Sequence, residues 1–244
     1  MKPGRLRPGF NPGNAEVMIK TLVLPILLLW QIQTAAFASE EVDESAVGSP
    51  EEALASLKAG NERFLSGATL RQDYLEQIAS TADGQQPYAT ILSCLDSRIP
   101  PEIIFDQGVG DIFVGRVAGN VEDVNLLGSF EFASAIVGTR LLVVMGHTSC
   151  GAVKGACADA KLGNLTALLG EIRPAVDHLK AAHPNEDVCA SPHLDHIAED
   201  NVRRTISDIR EKSEVLADLE KAGKLKIVGA MYDVGTGKVT FLEG

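Results

Sequence analysis

Apolar residues along the chain follow two different spacings. Five short runs are mostly apolar, at 88–94, 112–117, 141–146, 226–231 and 239–242. Near-continuous rather than alternating hydrophobicity marks strands covered on both faces, as in a parallel sheet. Between the runs the spacing becomes helical, over 124–137, 151–158, 165–182 and 195–222. Upstream, Ser49-Pro50-Glu51-Glu52 is a helix start: a serine cap, a proline at the first helical position and a glutamate three residues after the cap. Ala53, Leu54, Leu57 and Phe64 then line one face to about Leu65. A second, polar helix is expected over 70–80. Strands alternating with helices predict an open α/β sheet, with residues 49–244 as one domain carrying a helical N-terminal arm.

The first 38 residues stand apart from this pattern. Lys20 precedes an apolar run from Leu22 to Trp30, and Ala36-Phe37-Ala38 follows as a small-x-small cleavage site. That is the three-part layout of a secretory signal peptide, and the run is shorter than the ~20 residues that span a bilayer. A membrane anchor or a buried helix is the competing reading. The preceding stretch is long and rich in proline and glycine, so Met18 is a candidate start. The expectation is export, to the periplasm or outside the cell, with no stable membrane insertion after cleavage. Residues 39–48, acidic and small, are expected to be flexible.

Charge narrows the partners. The chain carries a net charge of -11. Its first 38 residues hold Lys2, Arg5, Arg7 and Lys20 against Glu16 alone, so cleavage leaves a more acidic protein. Such a surface repels phosphate backbones and anionic lipid, which excludes nucleic acid as an expected partner. A hydrophobic fraction of 45% is ordinary for a globular domain.

Two expected strands end in residues that bind metals. The run 88–94 closes on Cys94, and the run 141–146 delivers His147. Ligand sites of open α/β sheets gather at the carboxyl ends of strands, so both side chains should share one rim. Cys150 follows at the expected start of a helix, where the N-terminus favours a thiolate. Two thiolates and an imidazole suit Zn²⁺, and three protein ligands leave a fourth position for water. The competing readings are small buried cysteines with a core histidine, or a Cys94–Cys150 disulfide in an oxidising compartment. Beside Cys94, Asp96 is an acid that can accept a hydrogen bond from a water at the metal or, in a closed state, bind the metal itself. Arg98 can fork onto Asp96 and keep it ionised.

Cys94-Leu95-Asp96-Ser97-Arg98 followed by His147-Thr148-Ser149-Cys150-Gly151 resembles the signature of the β-carbonic anhydrases. The resemblance runs from about residue 50 to the C-terminus. It takes in Phe105-Asp106-Gln107-Gly108, Asp111–Val114, Arg116, Ala118-Gly119-Asn120 and Gly229-Ala230-Met231-Tyr232. It implies reversible hydration of CO₂ to bicarbonate and a proton. It also implies a mainly parallel sheet of four to five strands, and a homodimer or dimer of dimers embraced by N-terminal helices. Zn²⁺ would be held by Cys94, His147 and Cys150, with Asp96 and Arg98 as the catalytic dyad. Gln85, nine residues before the first cysteine, matches a glutamine that one subgroup, plant-like in type, presents to substrate across the dimer interface. Phe113 and Phe132 match apolar wall positions of that pocket. Ala118 would complete the apolar surface for CO₂, and the Gly151 N–H would meet a developing carboxylate oxygen. The second subgroup places a tryptophan where this chain has Ile91, which argues against its inhibitory bicarbonate site.

Four features remain outside that signature. Cys157 and Cys189 could pair in a secreted protein; the simpler reading is a small buried cysteine on a helix and a free one in a loop. His193-x-x-His196 suggests a second metal site, but a polar helix entrance explains it as well. His178 and His183 read as solvent-facing. The competing functions are hydrolysis of CS₂ or COS on the same zinc site, a non-catalytic zinc-binding protein, and a thiol–disulfide oxidoreductase, the last disfavoured by the absence of Cys-x-x-Cys.

Overall fold

The computed structural model describes residues 47–190 and 192–243. The expected signal peptide, and all of the acidic segment but its last two residues, lie outside the described residues. Among these, five strands form one sheet in the order β2-β1-β3-β4-β5: β1 Ala89–Ser93, β2 Ile112–Arg116, β3 Leu141–His147, β4 Lys226–Tyr232 and β5 Val239–Phe241. The first four are parallel and β5 runs antiparallel to β4. Every residue of β1 and β3 is buried, as their unbroken apolar runs require of central strands. Edge strand β2 is only half-buried.

Eight helices complete the described fold: α1 Pro50–Ser66, α2 Tyr74–Ser80, α3 Pro101–Ile104, α4 Val124–Glu131, α5 Gly151–Cys157, α6 Leu165–Ala182, α7 His193–Lys212 and α8 Glu214–Lys221. The single turn of α3 has no counterpart among the expected helices. The α1 start is as expected, since the Ser49 hydroxyl accepts from the Glu52 N–H and the Glu52 carboxylate accepts from the Ser49 N–H. This helix is part of the core as well as of an arm. Ala53 and Leu57 are fully buried, and the Asn61 side chain bonds the Ile104 and Gly237 carbonyls and the Val239 N–H. By contrast α2 buries nothing, and its Tyr74, Leu75 and Ile78 are exposed. Beyond α4 the chain continues as a π-helical stretch, Phe132–Val137.

The expected helix 195–222 is two helices. Ser213 is extended, its hydroxyl caps α8 by accepting from the Leu216 N–H, and it donates to Glu131 at 2.6 Å. Serine's competition for backbone bonds makes it a helix starter, and here it wins over the continuous apolar spacing. The reading of Cys157 and Cys189 as unpaired is also overturned: they form a disulfide joining the end of α5 to the loop before α7. Closing a loop of 32 residues stabilises the fold by about 3–4 kcal/mol through lost unfolded-state entropy. Cys94 and Cys150 are both free, which removes the alternative of a bridge between them. His193 opens α7 and pairs with Glu186, as a polar helix entrance should. His178 faces solvent and pairs with Asp200, and His183 caps the end of α6. No described helix is long and apolar enough to cross a membrane.

Candidate metal centre

The sheet register brings the cluster together. Ser93 and Met145 are partners across the parallel β1–β3 ladder, so the chain leaves both strands at the same rim. Cys94 is the first residue past β1 and His147 the last of β3. Two residues later Ser149 takes a left-handed conformation (φ 56°), and Cys150 caps α5. The tight turn brings Cys150 back toward the rim. The ligating atoms of Cys94, His147 and Cys150 all lie within 4.8 Å of one another, and all three residues are buried.

The imidazole is set for a metal. His147 Nδ1 lies 2.9 Å from the Thr148 carbonyl, which can only accept, so Nδ1 carries the proton. Nε2 therefore presents a lone pair, and it is buried with no hydrogen-bond partner. A fully buried polar atom without a partner is costly unless something else satisfies it. Here it faces two sulfurs. The two sulfurs lie close together and their acidities split. Cys94 is drawn well below the ordinary thiol range, chiefly by the neighbouring Cys150 thiol and further by the Gly119 N–H. Cys150 is pushed up by the neighbouring Cys94 sulfur and by burial, although the N–H groups of Ala152 and Val153 pull the other way. The charge of the neighbouring sulfur thus opposes the thiolate expected at the helix start. A dication offsets that charge, and the donor set fits Zn²⁺.

Around the cluster, polar contacts fix the loops. The Gly119 N–H points at the Cys94 sulfur at 3.3 Å, and the Asn201 side chain holds the Gly119 carbonyl at 2.8 Å. Gly119 takes φ +75°, a left-handed conformation that side chains rarely adopt, and a Cβ there would meet the end of the Ile172 side chain. Arg116 donates to the carbonyls of Cys94 and Asp96, pinning the segment between them. Asp195 accepts the Ser149 N–H at 2.9 Å. The sequence reading had Arg116 and Gly119 only through family resemblance, and it missed Asn201 and Asp195. The signal for Asn201 was present, as an amide in the apolar stripe Ile197, Ala198, Val202, Ile206.

Asp96 and Arg98 form the expected fork. Arg98 Nε lies 2.9 Å from one Asp96 oxygen and a terminal nitrogen lies 2.7 Å from the other, with the Arg98 backbone N–H adding a third bond. Its guanidinium holds the Asp96 carboxyl far below the usual carboxylate range. Both oxygens are thus bonded to arginine. Ala118 adjoins Gly119 beside the cluster, and Gly151 opens α5 directly after Cys150. Three expected site residues are not brought to it. Phe113 and Phe132 line a groove of about 750 Å³ between β2 and α4, shared with Val124 and Phe130. Gln85 lines another, with Thr81, Gly84 and Val109. Neither groove contains a residue of the cluster.

Residues 89–239 match the family model described as carbonic anhydrase. The chain is 37% identical over 195 residues to carbonic anhydrase 2 of Mycobacterium tuberculosis, covering 80% of this chain and 93% of that protein. Among solved structures it resembles the β-carbonic anhydrase CafA of Aspergillus fumigatus (TM-score 0.63, 28% identity, 78% and 90% covered). It also resembles tetrameric β-carbonic anhydrases of Sordaria macrospora (TM-score 0.61, 26% identity, 68% and 86% covered).

Proposed function

The chain belongs to the β-carbonic anhydrase family, and from that premise we propose that it hydrates CO₂ reversibly with one Zn²⁺ held by Cys94, His147 and Cys150. The observation that carries this is the unpartnered, buried Nε2 of His147 facing two sulfurs beside the Asp96–Arg98 fork. When bound, zinc acts as a Lewis acid that brings the pKa of water to ~7. The chain's own residues do the rest. Asp96, kept ionised by Arg98, accepts a hydrogen bond from the attacking oxygen and so aims its lone pair at the carbon of CO₂. The Gly151 N–H meets negative charge growing on the substrate oxygens. Ala118, Phe113 and Phe132 offer CO₂ an apolar surface.

Gln85 and the two phenylalanines complete the site from a second copy of the chain, which makes the working unit at least a homodimer. Support comes from their grooves, separate from the cluster of their own protomer, and from the exposed Val124, Phe132 and Ile136 next to the free edge of β2. The test is stopped-flow CO₂ hydration, with zinc content and mass in solution measured on the same sample. The expected result is a fast dimer or larger assembly with one zinc per chain. Full zinc without hydration at any pH, or a monomer as fast as the dimer, overturns the corresponding part of the reading.

We also propose export. It rests on the leader pattern of residues 18–38 and on the Cys157–Cys189 disulfide, a bond that persists in oxidising compartments. Intact mass of the protein from its own cells is expected to match a chain beginning at Ser39 with that bond formed. A cytoplasmic protein that keeps its leader and reduced thiols would sink the proposal.

A further inference from the structure

Among the described contacts, α7 is tied to the ends of both ligand-bearing segments. At its first turn Asp195 accepts the Ser149 N–H, inside the turn between His147 and Cys150. Nearer its middle Asn201 donates to the Gly119 carbonyl across 82 residues of sequence, and Gly119 in turn donates to the Cys94 sulfur. The position of Asn201 is unusual for its chemistry. It is 2% exposed and lies among Ile197, Ala198, Val202 and Ile206, on the face that packs against β3 and β4. Asparagine is a mediocre helix former, and a buried amide is unfavourable without a partner. An apolar residue there would suit helix and core better, so the amide's stabilising contribution must lie in the bond it makes.

That bond acts on a peptide whose direction has consequences. Gly119 sits at φ 75°, ψ 13°, a left-handed conformation that favours glycine, with the Ile172 side chain packed close to it. With its two dihedrals held, the carbonyl and N–H of Gly119 move together: fixing the carbonyl toward α7 fixes the N–H toward sulfur. An N–H bond to a thiolate withdraws electron density from it, and contacts of this kind set how strongly a ligand donates to its metal. We propose that Asn201 is a positioning residue of the metal centre, holding the Gly119 N–H on the Cys94 sulfur and thereby tuning zinc affinity and thiolate donation. This rests on the zinc reading above.

The test is Asn201→Asp, which keeps the shape and loses the donor. Zinc affinity is measured by competition with a chromogenic chelator. The cobalt-substituted protein is read for its sulfur-to-metal charge-transfer band at full occupancy. Zinc is expected to bind 10- to 100-fold more weakly, the range for lost outer contacts of a metal ligand. The charge-transfer band is expected at lower energy, since a thiolate freed of a hydrogen bond gives up charge more readily. A residue that merely braced the fold would lower the melting temperature and leave the band where it is. A folded variant with unchanged affinity and band overturns the proposal. Should the aspartate variant fail to fold, Asn201→Leu carries the same comparison without a buried charge. If the unsubstituted protein binds no zinc, this proposal and its premise fall together. If it binds zinc and the variants match it, only the role of Asn201 falls.

Discussion

Replacing Asp96 by asparagine is expected to lower kcat/KM for CO₂ hydration by about a hundredfold or more while leaving one zinc per chain. Losing a positioned proton acceptor typically costs 10²–10⁴ in rate, and a hundredfold corresponds to about 2.7 kcal/mol of barrier. The substitution is nearly isosteric, so the loss is of charge and of accepting capacity rather than of packing. Zinc should stay, because the proposed ligands are Cys94, His147 and Cys150 and both Asp96 oxygens already face Arg98. Stability should change little, since Arg98 is half exposed and ion pairs of that kind contribute ~1 kcal/mol at most. The pH dependence has a definite sign. Arg98 holds the Asp96 carboxyl far below its ordinary value, so the group is ionised at every pH above the usual carboxylate range. Its contribution to stability is complete there and is lost only as pH falls through the depressed folded value. The variant should therefore lower the plateau of the pH–rate profile without moving a midpoint near neutrality. Normal turnover by Asp96→Asn would remove the carboxylate from the mechanism.

Much of this architecture can be read before any coordinates. The five apolar runs are the five strands within about a residue at each end, because the buried strands β1 and β3 have no solvent face to blur their pattern. The candidate ligands were also visible: Cys94 and His147 stand at the ends of neighbouring strands, and Cys150 caps the next helix. What escaped depends on chain segments far apart in sequence. Ser213 splits a helix because Glu131 waits to receive its hydroxyl 82 residues away, and no local spacing contains that bond. The Cys157–Cys189 bridge needs the loop before α7 to fold back on α5, which spacing alone cannot show. Gln85, Phe113 and Phe132 escaped in another way. They matched a family pocket in sequence, yet one chain keeps them in grooves apart from the cluster, as residues serving a neighbouring copy would be.

Stripping the metal is expected to abolish hydration and to lower the melting temperature by roughly 10 °C while the fold persists. The site joins three segments, the end of β1, the end of β3 and the start of α5, so an ion bound there stabilises only the folded chain. At a free zinc concentration 1,000 times its Kd, that linkage supplies ~4.1 kcal/mol. For a chain of this size each kcal/mol moves the midpoint by about 2–4 °C. The fold should survive because its core does not depend on the metal. The central strands bury Ile91, Leu92, Val143 and Val144 completely, against Phe130, Ile197 and Val202 from the covering helices. Without the ion, the unpartnered Nε2 of His147 is the residual cost. Dialysis against dipicolinate, calorimetry and re-addition of zinc make the comparison. Lost activity with an unmoved midpoint would mean an ion held outside the three-segment junction. Retained activity would take the metal out of the chemistry. Recovery of both rate and midpoint on adding one equivalent of zinc is the result that ties catalysis to Cys94, His147 and Cys150.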